Sequence, residues 1–361
     1  MVRTGATAAA ILSGIGFFGA ATLGGGIVAA RHPRLRTCTV MRNRKNTIDT
    51  EAAVTKHSIR ILQLADLHLS AGREWLVDYV RTLADPVNGA RPDLVIATGD
   101  NLCDAESLPM VRRALEPFTD LPGCFVFGSN DYYSAVPKSP TKYLTPLIHR
   151  VLRSKPSRVP PARRIVPDLP HRELAAFFTD EGWFDLRNRW AAIEVSGMRV
   201  ALAGVDDPHI NRDILPNLRD GWSGADIRIA VSHAPYARVL DAFTRMDADL
   251  IVAGHTHGGQ LCLPGAHGRG RALVNNTDVP LEYSSGLHLW RAGTVKHPKP
   301  RVSRAGRESG SERDSHGTNE PVGGATVSPL HVSAGLGTNK YTPFRVFCPP
   351  EANLITLGIE M

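Results

Sequence analysis

The chain has little of what would staple a small secreted domain or build a zinc ribbon. Its 361 residues hold five cysteines, Cys38, Cys103, Cys124, Cys262 and Cys348. An odd number with no C-x-x-C spacing disfavours both a disulfide framework and a ribbon, and points to apolar thiols in a reducing compartment. Aromatics make up 6% of the residues and do not interleave with the basic runs, so no specific nucleic-acid binding is expected. Residues 292–327 contain almost no large apolar side chains, and 150–172 are dominated by Arg and Pro. Neither stretch can bury enough surface to offset its ordering entropy, so both read as surface insertions, residues 292–327 as a disordered one.

Charge is absent from Gly5 to Ala30. As a helix this run would reach roughly 39 Å, enough to cross a hydrocarbon core of about 30 Å with some tilt. A single membrane anchor is expected, with a cleaved signal peptide as the alternative. The segment GIVAARHP does not supply a clear A-x-A-like cleavage site, which favours the anchor. Only Arg3 precedes the run, whereas Arg31, Arg34, Arg36, Arg42, Arg44 and Lys45 follow it. The positive-inside rule therefore places the following domain on the cytoplasmic side.

Over the whole chain 42 basic residues stand against 35 acidic ones, a net charge of +7. That balance suits anionic partners such as phosphorylated substrates or anionic lipid. Much of the excess lies in the tails and insertions, where a solvated surface accounts for it equally well.

Beyond the basic flank, short apolar runs alternate with amphipathic segments. IRILQLAD (59–66), PDLVIATGD (92–100) and GCFVFGSND (123–131) read as buried strands, while 73–85 and 106–118 carry helical spacing. Such alternation predicts βαβ units and a largely parallel sheet. Strand-rich runs at 190–208, 225–235, 248–259, 328–335 and 344–359 predict a second sheet packed on the first. The domain organisation read from this is an anchor with its basic flank over 1–36, a lead-in over 37–58, and a catalytic domain over 59–361.

The strand ends carry the chemistry. They are ADLHLS with Asp66 and His68, TGDN with Asp100, GSND with Ser129, Asn130 and Asp131, VSHAP with His233, and AGHTHGG with His255 and His257. Side chains two apart on an extended segment point the same way, so D-x-H and H-x-H each present a pair. In open α/β sheets, sites form outside the carboxyl ends of strands. Converging Asp, His and Asn side chains have the donor set of a mixed N/O metal site, with Asp100 as the natural bridge between two ions. Singly, each His reads as a core histidine and each Asp as a helix cap; five blocks in this order do not.

At these residues the sequence resembles the calcineurin-like metallophosphoesterase superfamily, whose blocks are D-x-H, G-D, G-N-H-[DE], an isolated H, and G-H-x-H. It is most similar to the bacterial membrane-associated branch related to UDP-diacylglucosamine pyrophosphohydrolases, where GHTHGGQL and a late LHVSAGLG-like strand recur. The resemblance implies an α/β fold, a four-layer α/β/β/α sandwich of two mixed sheets flanked by helices, and a centre of two divalent ions (Mn, Fe or Zn). Carried over by residue, Asp66, His68 and His257 hold one ion, Asn130, His233 and His255 the other, and Asp100 bridges them. The implied activity is hydrolysis of a phosphodiester or pyrophosphate bond by a metal-bridging hydroxide, on a phosphorylated small molecule or a lipid.

The third block departs from the family. Aligned without a gap, GSND puts Ser129 where the family has Asn and Asn130 where it has the histidine near the leaving group. Either the loop shifts by one residue and Asn130 ligates through its amide oxygen, which is preferred, or Ser129 or a water fills the position. Asp100, Asn130 and Asp131 are the catalytic candidates of these blocks. His209, in GVDDPH beside Asp206 and Asp207, is a candidate stand-in for the missing proton donor, against the plainer reading of a capped turn. A nuclease or cyclic-nucleotide phosphodiesterase, and a membrane-tethered scaffold without turnover, are the competing functions.

Overall fold

The central strands of this chain are short, apolar and largely buried on both faces, as parallel strands covered on either side must be. A computed structural model describes residues 24–42, 48–49, 58–85, 91–136, 166–218, 220–265, 270–295 and 326–359. The insertions expected over 150–172 and 292–327 lie mainly outside the described residues, as does most of the uncharged run from Gly5 to Ala30. Of that run, residues 24–29 are helical. Among the described residues no helix is long and apolar enough to cross a membrane.

The first sheet has seven strands. In spatial order they are β2 (Ile48–Asp49), β1 (Arg34–Arg42), β15 (Glu351–Ile359), β3 (Ser58–Leu64), β4 (Leu94–Ala97), β5 (Gly123–Phe125) and β6 (Phe184–Asp185). The second has six: β13 (Gly286–Arg291), β14 (Val327–Val332), β10 (Leu250–Ala253), β9 (Ile227–Val231), β8 (Met198–Gly204) and β7 (Arg189–Val195). A small ribbon joins β11 (Cys262–Leu263) to β12 (Arg271–Ala272). Both large sheets are mixed. β3, β4 and β5 run parallel in one, and β9, β10 and β14 run parallel in the other.

Three apolar cores separate the layers. Ile59, Ile61, Ile96, Val200, Leu202 and Ile229 meet between the two sheets. On the far side of the first sheet, Leu62, Leu64 and Val95 pack against helices α1 (Glu74–Thr82), α2 (Leu108–Leu115) and α4 (His171–Asp180) through Leu76, Val80, Val111 and Phe178. A short turn of helix, α3 (Ser129–Tyr132), precedes α4 in the chain. On the far side of the second sheet, Ala201, Ala230 and Ile251 pack against Leu240 and Phe243 of α5 (Ala237–Arg245). At about 1.5–3 kcal/mol for each fully buried large aliphatic or aromatic side chain, these cores hold the two sheets in fixed register.

Several elements depart from the sequence reading. The sheet begins at Arg34, inside the stretches assigned to a basic flank (1–36) and a lead-in (37–58). β1 pairs residue by residue with β15, from Arg34 opposite Glu351 to Arg42 opposite Ile359. Its arginines made RLRTCTVMR look like a juxtamembrane tract, although Val40 and Met41 are buried. The run 344–359 is a strand only from Glu351 onward, because Pro349 and Pro350 cannot donate to a ladder. His171, assigned to the end of an insertion, opens α4, and β13 was not anticipated at all.

Candidate metal centre

Six parallel strands, β3, β4 and β5 of one sheet and β9, β10 and β14 of the other, release their chains toward one region. The loops after β3 and β4 stay paired beyond the strands. Asp66 N–H donates to Gly99 O (3.0 Å), His68 N–H to Asp100 O (2.9 Å) and Leu69 N–H to Asn101 O (2.9 Å). Those bonds fix Asp66, His68 and Asp100 side by side.

The side chains converge for a different reason from the strand alternation inferred from sequence. Asp66, His68, Asp100, His255 and His257 all lie past the ends of their strands with φ of 53°, 43°, 57°, 69° and 50°. Each left-handed residue costs about 1 kcal/mol or more, so five of them at one place mark a geometry that the surrounding structure imposes. Gly128 is needed beside them. A Cβ there would stand 2.2 Å from Asp100 Oδ1 and 2.5 Å from His233 Nε2.

Two clusters result. Asp66, His68 and His257 form one, Asp100, His233 and His255 the other, and within each the potential ligand atoms lie within 4.8 Å of one another. Asp100 faces both: its Oδ2 is 3.5 Å from His68 Nε2 and its Oδ1 3.6 Å from His233 Nε2. His68 Nε2 and His257 Nε2 are 3.2 Å apart, and His233 Nε2 and His255 Nδ1 3.0 Å apart. Imidazole nitrogens this close either share one proton or face a common cation, and two Asp, four His and a neighbouring Asn suit a divalent transition ion.

Supporting groups set the tautomers and the charges. His233 Nδ1 contacts the Thr98 carbonyl at 2.8 Å, which turns Nε2 toward the centre. His255 N–H donates to both carboxylate oxygens of Asp66, at 3.1 and 3.0 Å, tying one sheet's loop to the other's. Burial holds His68 down at about 4, with Arg73 and Arg345 adding to it, and burial and Arg345 hold His257 well below the usual imidazole range. Both are therefore neutral donors at pH 7. Burial also opposes charge on His233, but Asp100, Asp207 and Asp66 outweigh it and raise the imidazole to about 9. Asp66 is raised by burial, whereas His233, His68 and Asn130 overcome burial and lower Asp100.

The remaining predicted residues divide. Asn130 sits on the wall of the centre, its backbone N–H donating to Asp100 Oδ1 (2.8 Å) and its amide to Oδ2 (2.7 Å). Ser129 lines the same cavity. Asp131 does not face it. Its buried carboxylate accepts the backbone N–H groups of Asp100 (2.8 Å), Asn101 (2.8 Å) and Gly128 (2.9 Å), which makes it a positioning group for two loops. His209 does reach the cavity, its ring centroid 4.4 Å from that of His255 and its Nδ1 2.9 Å from Tyr236 Oη. The neighbouring acids serve the turn: Asp207 accepts the His209 N–H at 2.7 Å, and Asp206 accepts the Tyr132 hydroxyl at 2.9 Å.

Sequence reasoning missed Arg345 and the loop after β14. The fully buried guanidinium of Arg345 donates to the carbonyls of His257 (3.1 Å), Ala334 (2.6 Å), Gly335 (3.1 Å) and Gly337 (2.5 Å). In the sequence it falls within the strand-rich run 344–359. Asn276, Asn339, Tyr341 and Thr342 line the cavity, of about 80 Å³, together with Gln260. The available signal was SAGLGTN, which follows β14 directly as GHTH follows β10.

With this geometry in view, comparison with known proteins is informative. The profile of the calcineurin-like phosphoesterase family matches residues 59–259, more than half of the chain, and the chain belongs to that family. "Transmembrane protein with metallophosphoesterase domain" of Bos taurus is 29% identical over 219 residues, covering 57% of this chain and 41% of that protein. "Uncharacterized metallophosphoesterase YkuE" of Bacillus subtilis (strain 168) is 24% identical over 260 residues, covering 68% and 74%. "UDP-2,3-diacylglucosamine pyrophosphatase LpxG" of Chlamydia muridarum is 24% identical over 228 residues, covering 58% and 66%. The chain thus spans less than half the length of the bovine relative.

Proposed function

We propose that this member of the calcineurin-like phosphoesterase family hydrolyses phosphodiester or pyrophosphate bonds at a centre of two divalent ions, on an amphiphilic, lipid-borne substrate. One observation carries the reading: Asp100 lies against a histidine of each ligand cluster, so a single carboxylate can serve two cations. Asp66, His68 and His257 would hold one ion; Asn130, His233 and His255 would hold the other. When bound, such ions bring the pKa of water toward neutrality and neutralise charge on phosphoryl oxygens.

The chain's own residues do the rest. Asn130 keeps both Asp100 oxygens fixed, and its amide oxygen would be the group offered to the second ion. Asp131 and Gly128 keep the loops at their close spacing, while Arg345 holds the His257 carbonyl in place. His209, steadied by Tyr236, is the group on the cavity wall able to hold a proton for the departing oxygen in place of the family's missing histidine. Support for the lipid-borne substrate comes from the activity for which the Chlamydia relative is named and from the apolar run over residues 5–30. The same run is the proposed single-pass anchor, with the catalytic domain on the cytoplasmic side.

Hydrolysis of bis(p-nitrophenyl) phosphate by the manganese-loaded chain, abolished in Asp100→Asn, is the expected result. Turnover that survives Asp100→Asn, or a metal-loaded parent that is inert on diesters and pyrophosphates alike, overturns the reading. His209→Ala should slow alkyl leaving groups more than p-nitrophenolate while metal content stays constant.

A further inference from the structure

The helical stretch over residues 24–29 is seated beside the centre. Arg345 N–H donates to Gly26 O at 2.9 Å, and a Cβ on Gly26 would stand 3.1 Å from Val346 Cγ2 and 3.3 Å from Arg345 O. The side chain of that same Arg345 grips the His257 carbonyl. Gln260, which lines the cavity, accepts the Val346 N–H at 3.0 Å and donates its amide to Thr342 O at 2.8 Å. One short piece of backbone therefore joins the end of the apolar run to the cavity wall.

Around that piece the apolar surface is open. Ile27 is 43% exposed, Val28 59%, Leu263 42% and Phe347 55%. Leu263 and Phe347 are neighbours, since both of their carbonyls crowd Gly270. Tyr341, on the cavity lining, is also exposed. Exposed Arg31 and Arg34 follow the helix directly. An apolar group flanked by an aromatic and by arginines has the composition of a surface that sits at a lipid headgroup layer. In the sequence, the uncharged residues 5–23 immediately precede this helix.

We propose that the face formed by Ile27, Val28, Leu263 and Phe347 rests in the headgroup layer of a bilayer and holds the rim of the cavity at the membrane surface. The occupant is the membrane itself, committed by where the apolar run ends and by the arginines beside it. A phosphate carried by an amphiphile would then enter the cavity without leaving its leaflet. That consequence rests on the hydrolase reading; the docking does not.

The test uses the full chain reconstituted in vesicles of phosphatidylcholine and phosphatidylglycerol, with acyl chains either brominated or not. Tryptophan is introduced as Leu263→Trp or Phe347→Trp, and as Leu289→Trp on edge strand β13, where the leucine is 47% exposed. The difference emission over the parent chain should fall by about half or more in brominated vesicles at positions 263 and 347, and stay unchanged at 289. No quenching at 263 and 347 overturns the proposal, and so does equal quenching at all three positions. Because the readout needs no turnover, its failure is distinct from failure to hydrolyse any phosphate ester.

Discussion

The two ligand clusters are built from the same residue types but stand in opposite electrostatic surroundings. Asp66, His68 and His257 are backed by cations: Arg345 beneath His257, and Arg73, which donates to the His68 carbonyl at 2.9 Å. Asp100, His233 and His255 are backed by carboxylates, with Asp131 and Asp207 buried behind them. The first cluster therefore keeps its histidines unprotonated, whereas the second stores a proton on His233. Identical donor sets need not bind ions alike; the charges one layer further out decide what must leave before a cation enters.

The largest expected effect comes from breaking each cluster in turn. Asp66→Asn and His255→Ala should each lower turnover by about 10³-fold. Only Asp66→Asn should also lower the melting temperature of the metal-free chain, because Asp66 accepts the cross-sheet N–H of His255. Next is Arg345→Met, which removes one buried donor shared by four carbonyls, of which those of His257 and Gly335 keep the backbone N–H of Gln260 and Glu351, and should cost about 3 kcal/mol in a denaturant titration. Its ion loss, measured by elemental analysis, should fall on the first cluster and spare the second.

A smaller loss, about 1–2 kcal/mol, is expected for Asp131→Asn, whose amide group would turn a donor toward backbone donors. Here occupancy should fall in the second cluster, through Asp100. Smallest is the pH effect. His233 is raised from 6.5 to about 9, so in the metal-free chain its stabilising contribution is complete below pH 6.5 and is lost as pH rises toward 9. Metal displaces that proton, so affinity of the second cluster should climb across the same window and calorimetry should detect proton release. A flat affinity between pH 6.5 and 9 would remove the electrostatic distinction between the clusters.

Much of this was legible in advance. LVIA and LIVA, apolar at every position, announced covered parallel strands, and the polar residues just past them announced a site. What escaped had physical reasons. β1 was hidden because three arginines on a strand flanking an apolar run look like a membrane border. Arg345 was hidden because nothing near it in sequence needs a cation; its partners are carbonyls of residues 257, 334, 335 and 337. Asp131 stands in a motif of site residues, yet its carboxylate turns to backbone amides, and no local pattern distinguishes those two directions.

The sequence by itself determined which donors stand at which strand ends, since apolar runs, glycines and polar termini are local features governed by backbone sterics and burial. Only the tertiary structure decided how those donors are shared. H-x-H places His255 and His257 two residues apart, yet His257 joins Asp66 while His255 joins Asp100. That partition depends on left-handed turns after the strands and on hydrogen bonds between loops 189 residues apart, which exist only once two sheets have packed face to face.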